Sequence, residues 1–328
     1  MKTLKDKTVL VTGAGGFIGS HLAEKLVESG ATTRALVHYN ALGTWGWLDH
    51  SPVRNEIEVL AGDVCDRDSV NKAVKGCEVV FHLAALIAIP YSYQAPASYV
   101  RTNVEGTLNV LQACREAGVT RLMHTSTSEV YGTARRVPID EQHPLQGQSP
   151  YSASKIGADK MAEAFHLSFA VPVVTVRPFN TFGPRQSARA VIPTIITQCL
   201  TGQTVRLGNL HPTRDLNYVA NTVEGFLRAA TAPGVVGKTV NLGSSREISV
   251  GDLAKLIIRL VGRDVSIESD QARLRPEYSE VERLLADNSL AAKLLGWQPQ
   301  VSLENGLCST IEWMRNHLDR YRPGVYVV

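Results

Sequence analysis

The sequence has few cysteines and no pattern that would pair them or place them around a metal. Its five cysteines are scattered over 328 residues, without a C-x-x-C pair or any spacing typical of a metal site. An odd, unpatterned set favours a reducing compartment over a disulfide framework. We therefore expect a cytoplasmic protein without a metal centre.

Long apolar runs and a large charge excess are also missing. No stretch approaches the ~18 apolar residues that span a bilayer, and the N-terminus runs almost directly into a predicted strand, so no signal peptide is expected. The formal net charge is only +3, and nucleic acid is therefore not expected as a bulk partner. With 44% hydrophobic residues, a chain of this length is predicted to form one large domain and a smaller one, without membrane contact.

The first half of the sequence alternates short β-branched runs with longer helical patterns, which is typical of a parallel α/β sheet. The strand candidates are apolar almost throughout, as expected for strands covered on both faces. These candidates are Thr8–Thr12, Thr33–Val37, Ile57–Leu60, Val79–Leu83, Arg121–Thr125 and Val173–Val176. The helical stretches between them are Ile18–Glu28, Asp68–Val74, Ser98–Ala117 and Ser152–Ser168.

After Pro178 the rhythm changes to short strands, loops and helices near Ile192–Leu200, Val250–Val261 and Leu303–Leu318. We predict a doubly wound parallel Rossmann sheet in residues 1–178 and a smaller, interleaved C-terminal substrate-binding lobe in residues 179–212 and 246–328. Residues 213–245 are expected to return to the large sheet. The segments expected to make that return are Leu216–Ala230 and Thr239–Leu242.

A glycine-rich turn follows the first predicted strand directly. Gly13 permits a tight turn, Gly16 lets backbone amides approach a pyrophosphate, and Gly19 lets the next helix pack closely on the strand. Phe17 and Ile18 open that helix, whose positive N-terminal end would face the phosphates. The position between a buried strand and an amphipathic helix favours a dinucleotide site over a purely structural turn. NAD or NADP is the predicted cofactor.

An acidic residue is missing where an NAD-preferring site usually has one, at the end of the second strand. None occurs between Arg34 and Leu48, which leaves room for a 2′-phosphate with His38 and Arg34 as candidate partners. His38 is equally well explained as a solvated loop residue, so the choice between NAD and NADP stays open. Asp63, after the third strand, is a candidate acceptor for the adenine amine or, alternatively, a helix N-cap.

A tyrosine and a lysine stand four residues apart, at Tyr151 and Lys155, and are predicted to share one helix face. A nearby ammonium stabilises a phenolate, whose ordinary pKa is about 10. The phenolic oxygen can then take a proton from a sugar hydroxyl as hydride leaves. Ser126 and Thr127 end the fifth strand, at the sheet edge where ligands bind. Either hydroxyl is a candidate bridge between substrate and Tyr151, or else a turn cap.

Motifs along nearly the whole chain resemble the extended short-chain dehydrogenase/reductase family, also called the NAD-dependent epimerase/dehydratase family. The motifs are His82–Ala85, Thr102–Thr107, Ser126–Gly132, Tyr151–Lys155, Arg177–Asn180 and Arg214–Val219. The resemblance implies a nucleotide-sugar substrate and a bound NAD(P) that is reduced and reoxidised within each turnover. Further cofactor contacts that it implies are Val64, Leu83, Ala84, Ala85, Asn103 and Pro178.

Two runs are similar, more specifically, to nucleotide-sugar 4,6-dehydratases of the legionaminic-acid type: residues 138–150 and residues 180–193. The implied substrate is UDP-N-acetylglucosamine or a related N-acetylhexosamine nucleotide. In the implied mechanism Tyr151 deprotonates the C4 hydroxyl and hydride passes to NAD(P)+. Glu129 then removes the C5 proton, water leaves from C6, and hydride returns there. A salt-bridged surface acid is the structural alternative for Glu129.

One position departs from this pattern. Dehydratases of dTDP-glucose have an aspartate immediately before the glutamate, as the acid that protonates the departing hydroxyl, whereas this chain has Ser128. The pair Ser128 and Glu129 also resembles UDP-glucuronate decarboxylases, which have no C6 hydroxyl to expel. A decarboxylase and a nucleotide-sugar 4-epimerase are therefore alternatives. A non-catalytic NAD(P)-binding sensor is the alternative from another class.

The diphosphate of a nucleotide sugar attracts arginine side chains and amides. Candidates that match family positions, or that lie in the loop expected to close over the sugar, are Asn180, Arg185, Arg189, Val191, Arg214 and Arg275. For each arginine a surface salt bridge is the alternative. The stretches Ser98–Ala117 and Ser152–Ser168 resemble helices that pair in family dimers, which implies a homodimer. The tryptophans Trp45 and Trp47 and the tail Tyr321–Val328 are left without a predicted role.

Overall fold

The computed structural model describes residues 3–321 of the chain. It contains twelve strands within that range: β1 Thr8–Thr12, β2 Thr32–His38, β3 Ile57–Gly62, β4 Val79–His82, β5 Arg121–Thr125, β6 Val173–Pro178, β7 Asn180–Phe182, β8 Thr204–Leu207, β9 Thr213–Tyr218, β10 Thr239–Leu242, β11 Glu247–Ser249 and β12 Ser266–Ser269. The α-helices are α1 Phe17–Glu28, α2 Arg67–Val74, α3 Ile89–Gln94, α4 Pro96–Tyr99, α5 Gly106–Ala117, α6 Pro150–Phe169, α7 Val191–Thr201, α8 Val219–Thr231, α9 Val250–Val261, α10 Ser289–Leu295 and α11 Leu303–Arg315.

Seven strands form one sheet in the order β10-β6-β5-β4-β1-β2-β3. All neighbouring strands are parallel; β1, for example, pairs with β2 on one side and with β4 on the other. Strand order therefore reverses beside β1, and ligands of open α/β sheets bind in the crevice at such a reversal. The predicted α/β class with a Rossmann-like parallel sheet is confirmed.

Helices cover both faces of the sheet, which explains why its strands are apolar throughout. On one face α1 and α8 pack together over a core that includes Leu22, Phe226 and Trp297. On the other face α2, α5 and α6 pack over a core that includes Leu111 and Phe165. The two covered faces leave the carboxyl edge of the sheet as the place where a ligand can enter.

The C-terminal lobe is built on two small sheets, β11-β9-β7 and β12-β8. Helices α7, α9 and α11 pack on them over a separate apolar core. Of the segments expected to return to the large sheet, Thr239–Leu242 does so as β10, beside β6. The expectation for Leu216 is wrong: it lies in β9, which pairs with β7. Because β10 occupies the edge of β6, that edge is closed to β9, and only the following helix α8 packs on the large sheet.

The helix expected over Ser98–Ala117 is interrupted. A π-helical segment, Val100–Glu105, separates α4 from α5. Such segments occur frequently at functional sites, and this one contains the buried Asn103. Among residues 3–321, no helix is long and apolar enough to cross a membrane, and no group of three or more His, Cys, Asp or Glu residues is arranged to hold a metal ion.

Candidate active site

A cavity of about 1040 Å³ opens at the carboxyl ends of β1, β4, β5 and β6, where the large sheet meets the C-terminal lobe. The cavity is lined by the glycine turn, by Tyr151 and Lys155 of the large sheet's helix α6, and by Arg214 and Arg275 of the lobe. Most of the predicted site residues therefore border one space. They are Gly13, Gly16, Phe17, Ile18, Gly19, His38, Leu83, Ala84, Ala85, Ser126, Thr127, Ser128, Glu129, Tyr151, Lys155, Pro178, Asn180, Arg189, Val191, Arg214 and Arg275.

The turn between β1 and α1 has the geometry of a pyrophosphate site. Gly13 has φ +70°, and a Cβ there would lie 2.8 Å from the backbone nitrogen of Ala84. A Cβ on Gly19 would lie 2.2 Å from the Gly13 carbonyl oxygen. Gly16 begins α1 without a side-chain cap, so the first amides of the helix are open to an anion. These residues fit the pyrophosphate of a dinucleotide.

Beside the glycine turn, the cavity is lined by His38 and Trp45. The loop that carries Trp45 is fixed to the glycine turn, because the Trp47 amide donates to the Gly15 carbonyl at 3.0 Å. The prediction that Arg34 meets a 2′-phosphate is wrong. Its guanidinium donates to Glu58 at 2.8 Å and to the carbonyls of α2 and the loop after it, on one covered face of the sheet.

Three predicted cofactor residues lie outside the cavity lining. The Asp63 carboxylate accepts from the Cys65 amide at 2.9 Å and borders a separate depression. Val64 is buried, and its carbonyl accepts from the Asn109 amide group. The side chain of Asn103 bonds to both the amide and the carbonyl of Leu86, at 2.9 Å each. Asn103 thus holds the loop after β4, while the cofactor contacts of all three remain predictions.

Tyr151 stands in the first turn of α6, which begins with a capping box formed by Ser149 and Ser152. Its side chain is buried, and the Thr127 hydroxyl acts on the phenol by lowering its pKa. Burial raises the pKa of the Tyr151 phenol well above its ordinary value, and the negative charge of Glu129 adds to that effect. The free protein therefore holds this tyrosine firmly protonated.

Lys155 follows Tyr151 on the same helix and is buried. Its ammonium donates to the Thr125 carbonyl at 2.6 Å, and within residues 3–321 no hydrogen bond joins it to the Tyr151 phenol. Burial lowers the pKa of Lys155 to about 8, although the charge of Asp159 opposes this. An ammonium at neutral pH is thus maintained with the help of a carboxylate one helical turn further on.

Asp159 is the centre of a buried polar network below the cavity. Its carboxylate accepts from Ser126 at 2.8 Å, from His124 at 3.0 Å and from Arg177 at 2.9 Å. Burial alone would raise its pKa, but the His124 hydrogen bond and the surrounding positive charges lower the pKa of Asp159 to about 2. Because the Ser126 hydroxyl donates to Asp159, Thr127 rather than Ser126 is the hydroxyl that acts on the pKa of Tyr151.

Ser128 and Glu129 begin a 3₁₀ turn, Ser128–Tyr131, whose N-cap is Thr127; its hydroxyl oxygen accepts from the Glu129 amide at 3.2 Å. Both side chains are buried and line the cavity. The charge of Glu129 acts on Tyr151 and also on Arg214, where it opposes the lowering of the pKa by burial. The carboxylate therefore faces the interior of the site and is not a surface acid.

The predicted substrate arginines divide into two groups. Arg214 and Arg275 both approach Glu280, at 3.1 and 3.5 Å, and line the cavity. Arg189 lines it as well. Arg185 does not: its guanidinium donates to Glu24 and Ser20 on α1. The backbone of Arg185 is in the left-handed region, with φ +71°. Its side chain binds the loop to α1, which follows the glycine turn, so the prediction that Arg185 faces the sugar is wrong.

Several residues in or next to the cavity were not predicted from the sequence. Gln186 lines the cavity with a buried side-chain oxygen that has no partner among the described residues. The ring of Tyr99 packs edge-on against Tyr151, with the centroids 6.2 Å apart. Of these three residues, only Asp159 could have been predicted from the sequence, because it follows Lys155 by four residues. A pairing at that spacing along a helix is detectable from sequence alone.

A family model described as GDP-mannose 4,6 dehydratase matches residues 10–310. The chain belongs to the GDP-mannose 4,6 dehydratase family. It is also 33% identical to a UDP-glucose 4-epimerase of Mycolicibacterium smegmatis over 313 residues, which covers 94% of this chain and 98% of that protein.

Two nucleotide-sugar dehydratases are similar to this chain as well. The dTDP-glucose 4,6-dehydratase of Streptomyces griseus is 33% identical over 321 residues, 96% of each chain. The crystal structure of a dTDP-glucose 4,6-dehydratase from Streptomyces venezuelae, solved with NAD bound, superposes with a TM-score of 0.87 at 28% identity, covering 96% of this chain and 99% of that one. The resemblance to extended short-chain dehydrogenases that act on nucleotide sugars is thereby confirmed.

Proposed function

We propose that the protein is an NAD-dependent nucleotide-sugar 4,6-dehydratase acting on an N-acetylhexosamine nucleotide such as UDP-N-acetylglucosamine. The observation that supports this proposal best is the buried carboxylate of Glu129, which lines the same cavity as Tyr151. Dehydration needs a base at C5 in addition to the residue that deprotonates the C4 hydroxyl. A simple 4-epimerase has no use for that second base, so the pair favours dehydration.

The side chains then act in a fixed order. Tyr151 acts as the phenolate, which the ammonium of Lys155 stabilises, and its oxygen takes the proton of the C4 hydroxyl while Thr127 holds that oxygen in place. NAD supplies the hydride acceptor for C4 and the hydride donor for C6. The new 4-ketone acidifies C5, and Glu129 takes the C5 proton. That proton passes to the departing C6 oxygen, which leaves as water, and the proton held by Tyr151 is available for C5.

Glu129 carries two roles in this scheme because Ser128 is a weak acid. In dehydratases of dTDP-glucose the aspartate at this position protonates the leaving hydroxyl. Here Glu129, once protonated by C5, is the carboxylic acid of the site. One carboxylate that first accepts and then donates the same proton keeps the step balanced without an additional acid.

NAD is the proposed cofactor. The Streptomyces venezuelae dehydratase contains it, and the one arginine expected at a 2′-phosphate, Arg34, is bonded elsewhere. The sugar nucleotide would lie toward the lobe, where Arg214 and Arg275 can meet its diphosphate and Asn180 lines the path. A cytoplasmic location and a homodimer formed through α5 and α6 remain predictions.

A decarboxylase or epimerase of nucleotide uronates is the second candidate, and Ser128 favours it. Such an enzyme expels no C6 hydroxyl and therefore needs no acid at that position. The products distinguish these activities: dehydration yields a 4-keto-6-deoxy sugar, decarboxylation releases CO₂, and epimerisation yields the C4 epimer.

The test is incubation of the purified protein with UDP-N-acetylglucosamine and, separately, with UDP-glucuronate. We expect a 4-keto-6-deoxy product from the first, with one deuterium at C5 when the solvent is D₂O. Glu129→Gln should abolish product while still allowing the C4 oxidation, and Tyr151→Phe should abolish both. Glu163→Gln, an exposed acid on α6, is the matched control. CO₂ release or a C4 epimer as the sole product would refute the dehydratase proposal.

A further inference from the structure

Trp45 and Trp47 lie in the loop between β2 and β3, and neither has a role in the proposed reaction. Leu48, in the 3₁₀ turn Gly46–His50 of this loop, is buried in the core on the α1 side of the large sheet. The Trp47 amide donates to the Gly15 carbonyl at 3.0 Å, and a Cβ on Gly15 would lie 2.6 Å from the Trp45 carbonyl oxygen. The loop is therefore packed directly against the glycine turn.

The side chain of Trp47 reaches the C-terminal lobe. Its ring packs edge-on against Trp313 of α11, with the centroids 5.4 Å apart and the planes at 71°. Trp313 in turn packs edge-on against Tyr321, with the centroids 6.3 Å apart, and Tyr321 is buried in the core of the lobe. Such pairs attract because the positive edge of one ring meets the negative face of the other. These three rings form a continuous aromatic strap from the large sheet to the lobe.

The aromatic strap ends on the lobe side of the cavity. The Tyr321 hydroxyl donates to the Gln186 carbonyl at 3.0 Å, and the Gln186 side chain donates to the Thr181 carbonyl at 2.9 Å. Gly15, which holds the first residue of the strap, and Gln186, which holds the last, both line the cavity. The strap thus joins the wall that fits a dinucleotide to the wall that belongs to the lobe.

The loop that contains Gln186 is also bound to α1. The Arg185 guanidinium donates to Glu24 at 2.9 Å and to Ser20 at 3.2 Å. Both charged side chains are largely buried, and a buried ion pair is costly to break because each charge would be left without its partner. To move away from the glycine turn, the lobe would have to break this ion pair and part the aromatic strap.

We propose that the aromatic strap holds the lobe closed over the glycine turn and thereby sets how slowly a bound dinucleotide leaves the cavity. The proposed reaction returns the hydride within each turnover, so the cofactor does not have to leave between turnovers. Slow release is therefore compatible with fast catalysis. This role requires a dinucleotide in the cavity, whichever of the three sugar reactions the protein catalyses.

The experiment measures NAD release from the full-length protein loaded with NAD, as the exchange of bound NAD for an excess of isotope-labelled NAD. Trp47→Ala removes the first ring contact, and release should become about tenfold faster. Trp47→Phe keeps a ring there and should restore most of the slow release. Tyr321→Phe keeps its ring but loses the hydrogen bond to Gln186, and release should become about fivefold faster. Leu42→Ala, an exposed residue of the same loop, is the matched control and should release NAD at the wild-type rate.

Unchanged release rates in Trp47→Ala and Tyr321→Phe, with lower melting temperatures, would overturn the proposal, because the strap would then only stabilise the fold. An equal acceleration in Leu42→Ala would overturn it too, because any change in the loop would then have the same effect. If Trp47→Ala does not fold, Tyr321→Phe decides alone. The assay contains no nucleotide sugar, so its outcome is independent of whether the proposed dehydration is found.

Discussion

Polar groups on the two sides of Tyr151 differ in how completely they are paired. Below it, Asp159 and Arg177 join Tyr131 and Asn241 in a continuous chain of hydrogen bonds of 2.8 to 2.9 Å. One nitrogen, Nδ1 of His124, is the atom of this network that lacks a partner. The network side therefore has its interactions in place before any ligand arrives.

On the cavity side the pattern is reversed. Buried oxygens of Asn180 and Gln186 have no hydrogen-bond partner among the described residues. Nη1 of Arg275 makes an ion pair with Glu280 at 3.5 Å but no hydrogen bond. Buried polar groups in proteins are nearly always hydrogen-bonded, and leaving them unmet costs free energy. The paired side fixes the charges of Lys155 and its neighbours, whereas the unpaired side is organised for a polar ligand.

The largest expected effect lies on the paired side. Asp159→Asn removes the negative charge between Arg177 and Lys155 and leaves two buried cations, so we expect unfolding free energy to fall by about 3–5 kcal/mol at neutral pH. Urea denaturation measures this. Glu163→Gln on the same helix, whose side chain is 55% exposed, should change stability by less than about 0.5 kcal/mol. Equal effects of the two variants would show that the network contributes no more to the unfolding free energy than an exposed charge does.

The same comparison has a defined pH dependence. The pKa of Asp159 is about 2 in the folded protein, against an ordinary value of 3.8. A lowered pKa means that the stabilisation is complete above pH 3.8 and is lost as the pH falls through 2. The advantage of the wild type over Asp159→Asn should therefore shrink by about 2 kcal/mol between pH 5 and pH 2. A difference that stays constant over this range would place the stabilisation elsewhere.

Some features of the fold and of the site could be predicted from the sequence more readily than others. The seven-stranded sheet was predictable because strands buried on both faces must be apolar, and the glycine turn was predictable because Gly13 and Gly19 leave no space for a side chain. The proximity of Tyr151 and Lys155 follows from helical spacing. Each of these depends on local geometry alone.

The hydrogen-bond partners of long side chains, and of side chains that follow each other in sequence, could not be predicted from the sequence. Ser126 and Thr127 follow each other at a strand end, so they point to different sides, and only the tertiary structure decides which one meets Tyr151. Arg34 and Arg185 have reaches long enough for several acceptors, and each found one on a neighbouring element. The prediction that Leu216 joins the large sheet failed because β10 pairs with β6, and that pairing depends on residues far away along the chain.

One asparagine lies on each side of Tyr151, Asn241 in the network and Asn180 in the cavity. Asn241 is fully buried, accepts from Tyr131 at 2.8 Å and donates to the Ile139 carbonyl at 3.1 Å. Asn241→Ala should lower unfolding free energy by roughly 1–2 kcal/mol, since both partners lose a bond that water cannot replace. Thermal unfolding of the variant checks this, and a stability equal to the wild type would show that the hydrogen bonds are dispensable.

The smallest effect on stability is expected at Asn180, the counterpart in the cavity. Its buried oxygen has no partner, so Asn180→Ala breaks no hydrogen bond of that atom and should change unfolding free energy by less than about 0.5 kcal/mol. Its cost should instead fall on the ligand, with the KM for nucleotide sugar rising about tenfold, as expected for the loss of a hydrogen bond to a charged group. Stability and KM measured on the same preparation decide the matter. A stability loss as large as that of Asn241→Ala, with KM unchanged, would show that the cavity side is structural and not arranged for a ligand.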